Sequence, residues 1–285
     1  MIQKAMDVTK LVNSVVTIAS LPSIYFRVSE AVNCPRSSAT DIANVVSEDP
    51  GLTARLLKIV NSSFFSFNSK IDTVSRSVSI VGTQQLCDLC LATSVMKAFK
   101  DVPEELVSME SFWLHSLACG ICARILATEY GVNNVERFFV AGLLHDIGSL
   151  ILYMKMSELA RGCLEESRKN KKKLHEVERQ VFGYDHAEVG YELVKLWNLP
   201  EALHEAVRFH HAPQRAVDFP LEAAIIHASD IIVSALKLGS NGDTFVPPLV
   251  PKAWLTVNIA ESSLPGIVEN IDGQIDDVVR VMFKE

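Results

Sequence analysis

Seven residues of metal-ligand type punctuate otherwise apolar, helical sequence: His115, His145 with Asp146, His186, His210 with His211, and Asp230. Imidazole nitrogens and carboxylate oxygens hold divalent first-row metals, and a carboxylate beside a histidine can bridge two ions. Any one of these histidines alone would read as a hydrogen-bonded core residue; the ordered series is what carries the metal reading. Mixed His and carboxylate ligation points to a divalent transition metal, one or two ions, with Fe, Mn, Zn and Ni equally compatible. In the adjacent pair His145-Asp146 the carboxylate stands where it can bridge two such ions.

The elements that must position these residues read as helices throughout. Thr40 and Asp41 can cap a helix carrying Ile42, Val45 and Val46, and Asp49-Pro50 starts another with Leu52, Leu56, Leu57 and Val60 at helical spacing. Val74 to Val81 ends at Gly82, and Thr83 opens a helix to Phe99, which Asp101-Val102-Pro103 breaks. Further helices are expected over Phe112–Glu129, Val135–Tyr153, His186–Trp197, Glu201–His211 and Leu221–Leu238. His115 and His145 lie 30 residues apart, a helical-hairpin separation. Adjacent His210 and His211 diverge by about 100° on a regular helix, so both can ligate only at a helix end or distortion, which Pro213 makes available. Ser240 to Pro251 holds three prolines and a glycine and is expected to be a linker or lid. After it, Ile267, Val268, Ile271, Ile275, Val278, Val279 and Met282 give a terminal helix one apolar face, expected to dock on the body of the fold. The organisation read from this is all-α. An N-terminal helical unit spans 1–105, a histidine-bearing unit 106–240, and a Pro-rich linker with a docking helix 241–285.

Composition excludes several classes. A chain of 285 residues with 48% hydrophobic content can bury a sizeable core, and a net charge of −7 argues against nonspecific phosphate-backbone binding. A helix-turn-helix over Thr40–Asn61 would offer a groove only Arg55 and Lys58, so nucleic acid is not an expected partner. The basic run Arg168–Lys173 is flanked by Glu165, Glu166, Glu176 and Glu178 and reads as a solvated helix end or loop. No secretory or membrane-spanning pattern is read, and a bacterial cytoplasmic location with no membrane partner is expected. Six cysteines suit a reducing compartment; Cys87-x-x-Cys90 and Cys119-x-x-Cys122 fall inside helices without the turns of zinc ribbons, and read as core thiols.

The histidine series resembles that of the HD superfamily of metal-dependent phosphohydrolases, whose signature is His, His-Asp, Asp. Its longer form is similar to the HD-GYP cyclic-di-GMP phosphodiesterases. Leu21-Pro22, Ile42-Ala43, Ser47–Leu57, Val60-Asn61-Ser62, Ala141–Gly148, His186–Gly190 and Trp197–Pro200 together resemble the HDOD domain, over roughly residues 20–240. The resemblance implies an HD-domain-like helical bundle with an additional N-terminal helical subdomain. It also implies a signalling output module, often without catalysis, with a protein partner in a signalling pathway or a small phosphate-containing ligand. It further implies His115, His145, Asp146 and Asp230 as the four HD ligands and His186, His210 and His211 as the additional ones. Three departures bear on catalysis. Ser149 stands where related hydrolases place a phosphate-holding Lys, His211 is followed by Ala212-Pro213-Gln214 instead of Gly-Tyr-Pro, and position 111 is Ser beside Glu110. Arg124, Lys155 and Arg208 are the cations that could replace the missing Lys. The expectation is a regulatory module with a metal-occupied site and little or no catalysis; the alternative is a metal-dependent phosphohydrolase acting on a phosphodiester or nucleotide.

Overall fold

Local chemistry starts the helices. In the computed structural model, which describes residues 6–15, 20–99, 102–243 and 245–283, no strand is found among the described residues. The helices of the first half are α1 (Val8–Asn13), α2 (Ser23–Asn33), α3 (Ala39–Ser47), α4 (Pro50–Val60), α5 (Val74–Val81) and α6 (Thr83–Val95). Those of the second half are α7 (Met109–Tyr130), α8 (Glu136–Leu144), α9 (Ile147–Lys155), α10 (Ser157–Asn170), α11 (Leu174–Phe182), α12 (His186–Leu196), α13 (Glu201–Phe209) and α14 (Pro220–Leu236). Two more, α15 (Pro251–Val257) and α16 (Leu264–Phe283), close the chain.

The expected cap at Thr40 and Asp41 moves: Ser38 caps α3, its hydroxyl accepting from the Asp41 amide while Asp41 accepts from the Ser38 amide, a capping box. Asp49 caps α4 through Leu52 with Pro50 at its first position, since proline there forfeits no helical hydrogen bond. Asp185 caps α12 through Glu188, which fixes the helix end that carries His186. Asp101 of the expected Asp101–Pro103 break, and Thr244 of the 240–251 segment, lie outside the described residues.

Helix α7 is the axis. It packs on α8, α14 and α16, while α9 lies on α12, α12 on α13, and α13 on α14. Before it, α2, α4 and α5 pack on α6 with α3 against α2, α4 and α5, and α6 packs onto α8, so one apolar core runs through both halves. Helix α16 rests on α7 and α4, burying Ile267, Ile271, Ile275 and Val278. Windows in Met109–Tyr130 and Glu136–Lys155 are apolar enough to cross a membrane by length and composition, but 78% and 89% of them are buried inside the fold, so their apolar surface is taken up by the core.

Two crossings bring backbones into contact. A Cβ on Gly142 of α8 would come within 2.6 Å of the Gly120 amide nitrogen on α7, and one on Gly148 of α9 within 2.0 Å of the His186 carbonyl on α12. Only glycine permits these approaches. They set the spacing of the helices that carry His115, His145 and His186.

Candidate metal centre

The helix expected over Val135–Tyr153 is in fact two. It breaks at His145, which ends α8, and Asp146, whose φ of −101° and ψ of 7° leave the helical region before α9 begins. On an unbroken helix these neighbours would point about 100° apart. At the break both reach one buried point. His210 and His211 likewise follow the end of α13 at Phe209, as adjacent ligands require, and their ring centroids lie 3.9 Å apart.

Asp146 sits between two groups, and each of its oxygens serves one. Oδ2 lies 2.9 Å from His145 Nε2 and 3.8 Å from His115 Nε2, and Asp230 Oδ1 stands 3.3 Å from His115 Nε2 and 4.0 Å from His145 Nε2. Oδ1 lies 3.2 Å from His186 Nε2 and 3.5 Å from His210 Nε2, and His211 Nε2 is 2.8 Å from His186 Nε2. His115, Cys119, His145 and Asp230 thus form one set of possible ligand atoms, and Asp146, His186, His210 and His211 another, each with its atoms within 4.8 Å of one another. All seven sequence-nominated residues meet there.

The outer nitrogens are already committed. His145 Nδ1 donates to the Gly142 carbonyl at 2.7 Å and His210 Nδ1 to the Val207 carbonyl at 2.7 Å, so each ring turns its Nε2 inward. His186 Nδ1 donates to Glu178 at 2.6 Å, the carboxylate–histidine pairing common behind metal ligands. His145 Nε2, His210 Nε2 and Asp146 Oδ1 are buried and make no well-aligned hydrogen bond, only the close ion-pair approaches within the centre. Three buried polar atoms so poorly satisfied and facing one point are costly unless a cation, proton or metal, joins them. The donor set therefore fits divalent metal.

Charge without a cation is strained in a consistent sense. Burial opposes ionisation of Asp146, but His145, His186 and His210 outweigh it and hold its carboxyl well below the usual range. Asp230 is lowered against burial by its bond to His115 and the charge of His145. Burial pulls His145 down, yet Asp146 and then Asp230 push it up to about 9; for His186, Glu178 and Asp146 similarly override burial and raise it. His211 is driven well below the normal imidazole range by burial and by His210, and His175, stacked on it at 4.0 Å, falls to about 3 through burial and His186. Protons on His145 and His186 thus stand in for the positive charge the two carboxylates demand.

Residues 18–213 of the chain match the HDOD domain family. The chain belongs to that family. Over 195 residues it is 28% identical to an uncharacterized protein of Treponema pallidum (strain Nichols), the match covering 68% of this chain and 37% of that relative, so the chain spans well under half of the relative's length. An HDOD domain protein of unknown function from Geobacter sulfurreducens has a similar structure, with TM-score 0.76, 22% identity, and 97% and 98% of the two chains covered. A protein of Shewanella amazonensis SB2B provisionally named a phosphohydrolase superposes with TM-score 0.73 at 22% identity, covering 95% of this chain and 97% of the other. At these identities the structural likenesses establish the fold alone.

Within the HDOD fold, several expectations about the surroundings need correction. His186 and His210, like the four HD-type ligands, are buried, and of the seven residues only His211 is partly accessible. Access comes instead beside His115, through a cleft of about 310 Å³ lined by Ser234, Lys237, Asn241 and Phe245 among others. None of the three cations nominated to replace the missing Lys points here. Arg124 lies over the Phe64 ring, 3.5 Å from Glu136; Arg208 pairs with Glu188 at 2.7 Å over Tyr191; Lys155 is exposed at the far end of α9, about 13 Å of helix rise from Asp146. Lys237, at the C-terminal end of α14, is the cation that lines the cleft.

Other contributors were missed. Cys119 is not merely a core thiol: its Sγ is 3.6 Å from His115 Nε2, and the His-x-x-x-Cys spacing on α7 was the available signal. Burial, then Asp230 and Asp146, push its pKa well above the normal thiol value. The 240–251 segment is more than a linker. Asn241 is buried and donates from Nδ2 to Asp146 Oδ2 at 2.5 Å, while the Tyr153 hydroxyl donates to the Asn241 carbonyl at 2.8 Å and the Ser240 amide to the Ser111 carbonyl at 3.1 Å. No local pattern marks an asparagine for that role.

Proposed function

We propose that this HDOD chain is a signalling module whose His/Asp centre binds one or two divalent transition-metal ions, ties five helices together, and catalyses little or no hydrolysis. The observation that carries the metal assignment is Asp146, fully buried with one oxygen facing each of two imidazole groups and Oδ1 making no well-aligned hydrogen bond. His115, His145, Asp230 and Asp146 Oδ2 would hold one ion; Asp146 Oδ1, His186, His210 and His211 would hold the other. When bound, such a pair supplies Lewis-acid polarisation of a phosphoryl oxygen. What this chain adds is unfavourable to turnover. Ser149 is buried and uncharged, Arg124 and Arg208 are engaged elsewhere, and the Asn241 amide occupies an oxygen of the bridging carboxylate. The partner in this reading is a protein of a signalling pathway or a small phosphate-containing ligand.

A phosphohydrolase reading is favoured by one observation, the cleft beside His115 with Lys237 on its wall. The test is hydrolysis of a panel of nucleotides and phosphodiesters by untagged protein loaded separately with Mn, Fe and Zn, wild type against Asp146→Ala. Losing one preorganised charge contact costs about 10²- to 10³-fold in rate, so turnover near the Asp146→Ala background is expected. Robust turnover abolished by Asp146→Ala and reduced at least tenfold by Lys237→Ala establishes the phosphohydrolase instead.

A further inference from the structure

A second cavity, about 550 Å³, lies where α4, the turn after α6, the start of α7 and the end of α16 meet. Its apolar wall is Ala54, Met96, Trp113, Val281, Met282 and Phe283. Its polar wall is Arg55, Lys58 and Lys97, and none of the described residues lining it is acidic. On a chain of net charge −7, three cations with no carboxylate among the described lining residues are a local reversal of sign. Arg55 and Lys58 are the cations too few for a nucleic-acid groove; with Lys97 they rim a pocket of small-molecule size instead. The Arg55 Nε is buried without a hydrogen-bond partner.

We infer that this cavity binds a small amphiphilic anion, a carboxylate or phosphate ester carrying an apolar body. The pattern suits that class in two ways. A flat indole, a phenyl ring and two flexible methionines accept apolar bodies of varied shape, while exposed Lys58 and Lys97 and the half-buried Arg55 hold the head group in partial contact with water. The site is separate from the His/Asp centre: Trp113 precedes His115 by two positions on α7, so the two side chains leave the helix about 200° apart. Ligand in the cavity therefore touches the back of the helix whose front presents His115.

The experiment titrates full-length protein with decanoate, with decyl phosphate and with decanol, each below its aggregation threshold, by calorimetry and by tryptophan fluorescence. Trp113→Phe assigns the signal among the three tryptophans. At least one anion is expected to saturate at one per chain and to bind at least tenfold more tightly than decanol; which anion does so separates a carboxylate from a phosphate source. Arg55→Ala/Lys58→Ala/Lys97→Ala should weaken the anion at least tenfold while leaving decanol and metal content unchanged, and raised salt should weaken it too. Met282→Trp, which fills the cavity, should abolish both. If that variant fails to fold, the triple cation variant decides, because it alters only the rim. Absence of saturable binding, equal binding of decanol, or unchanged anion binding by the triple variant would overturn the inference.

Discussion

Asp88 on α6 and Asp146 between α8 and α9 are both buried carboxyls in helical core, yet their surroundings drive them in opposite directions. Asp88 accepts from two amide donors, Gln84 at 3.2 Å and Asn134 at 3.4 Å, and burial raises its pKa to about 6. Asp146 is more deeply buried, but three imidazoles override burial and hold it ionised far below the usual range. Burial alone favours the neutral acid. Company decides whether a buried carboxyl becomes a tolerated structural group or a standing negative charge that invites a cation.

The largest expected effect separates the two carboxyls by metal content. Asp146→Ala removes an oxygen from both ligand groups, and elemental analysis of untagged protein should find metal reduced to background, whereas Asp88→Ala should retain it. Equal retention in both variants would erase the distinction. Next, chelation should lower the melting temperature of the wild type, by linkage worth about 4 kcal/mol at free metal a thousandfold above Kd. Asp146→Ala should melt alike with and without chelator; a wild-type curve insensitive to full metal removal would mean the centre contributes nothing to folding.

A smaller effect concerns pH. His145, raised to about 9, and His186, also raised, must each lose a proton to ligate, so metal affinity should rise by more than tenfold and up to about a hundredfold per unit as pH increases from 6.5 to 7.5. Affinity flat across that interval would show that no proton is displaced. The smallest effect is at Asp88. Its folded pKa lies above its unfolded value, so the native state binds the proton more tightly, and stability is lost as pH rises from about 4 to about 6. Asp88→Asn should therefore stabilise by about 1–2 kcal/mol at pH 7 and by almost nothing at pH 4; this discounts the full shift because one amide donor loses its acceptor. Denaturant unfolding at the two pH values reads the difference.

Much of the fold and of the ligand series was legible in the chain itself. Asp49-Pro50 and Pro200 mark helix starts through chemistry confined to a few residues, and the apolar spacing of Ile267 to Met282 marks α16. Less legible was the break at His145-Asp146, because Phe138 to Tyr153 is mostly apolar and holds no proline, its two glycines flank the break without marking it, and α8 and α9 pack on different partners, α7 and α12. Asn241 and Glu178 were invisible for a different reason: each acts on a residue in another element, 95 positions away for Asn241 and eight for Glu178, across a helix boundary. Cys119 was within reach, since it stands one turn from His115 on the same face of one helix.

Sequence alone determined which ligand types are present, their order, and the helical periods that carry them, because caps, prolines and apolar spacing act between near neighbours. Tertiary structure decided which atoms meet, that each oxygen of Asp146 faces its own imidazole group, and that Asn241 lies on one of those oxygens. It also decided that Asp88 is pushed toward its neutral form while Asp146 is held charged. Those outcomes depend on distances of a few ångströms between groups far apart in the chain, where Coulomb energy and desolvation change steeply and no local pattern records them.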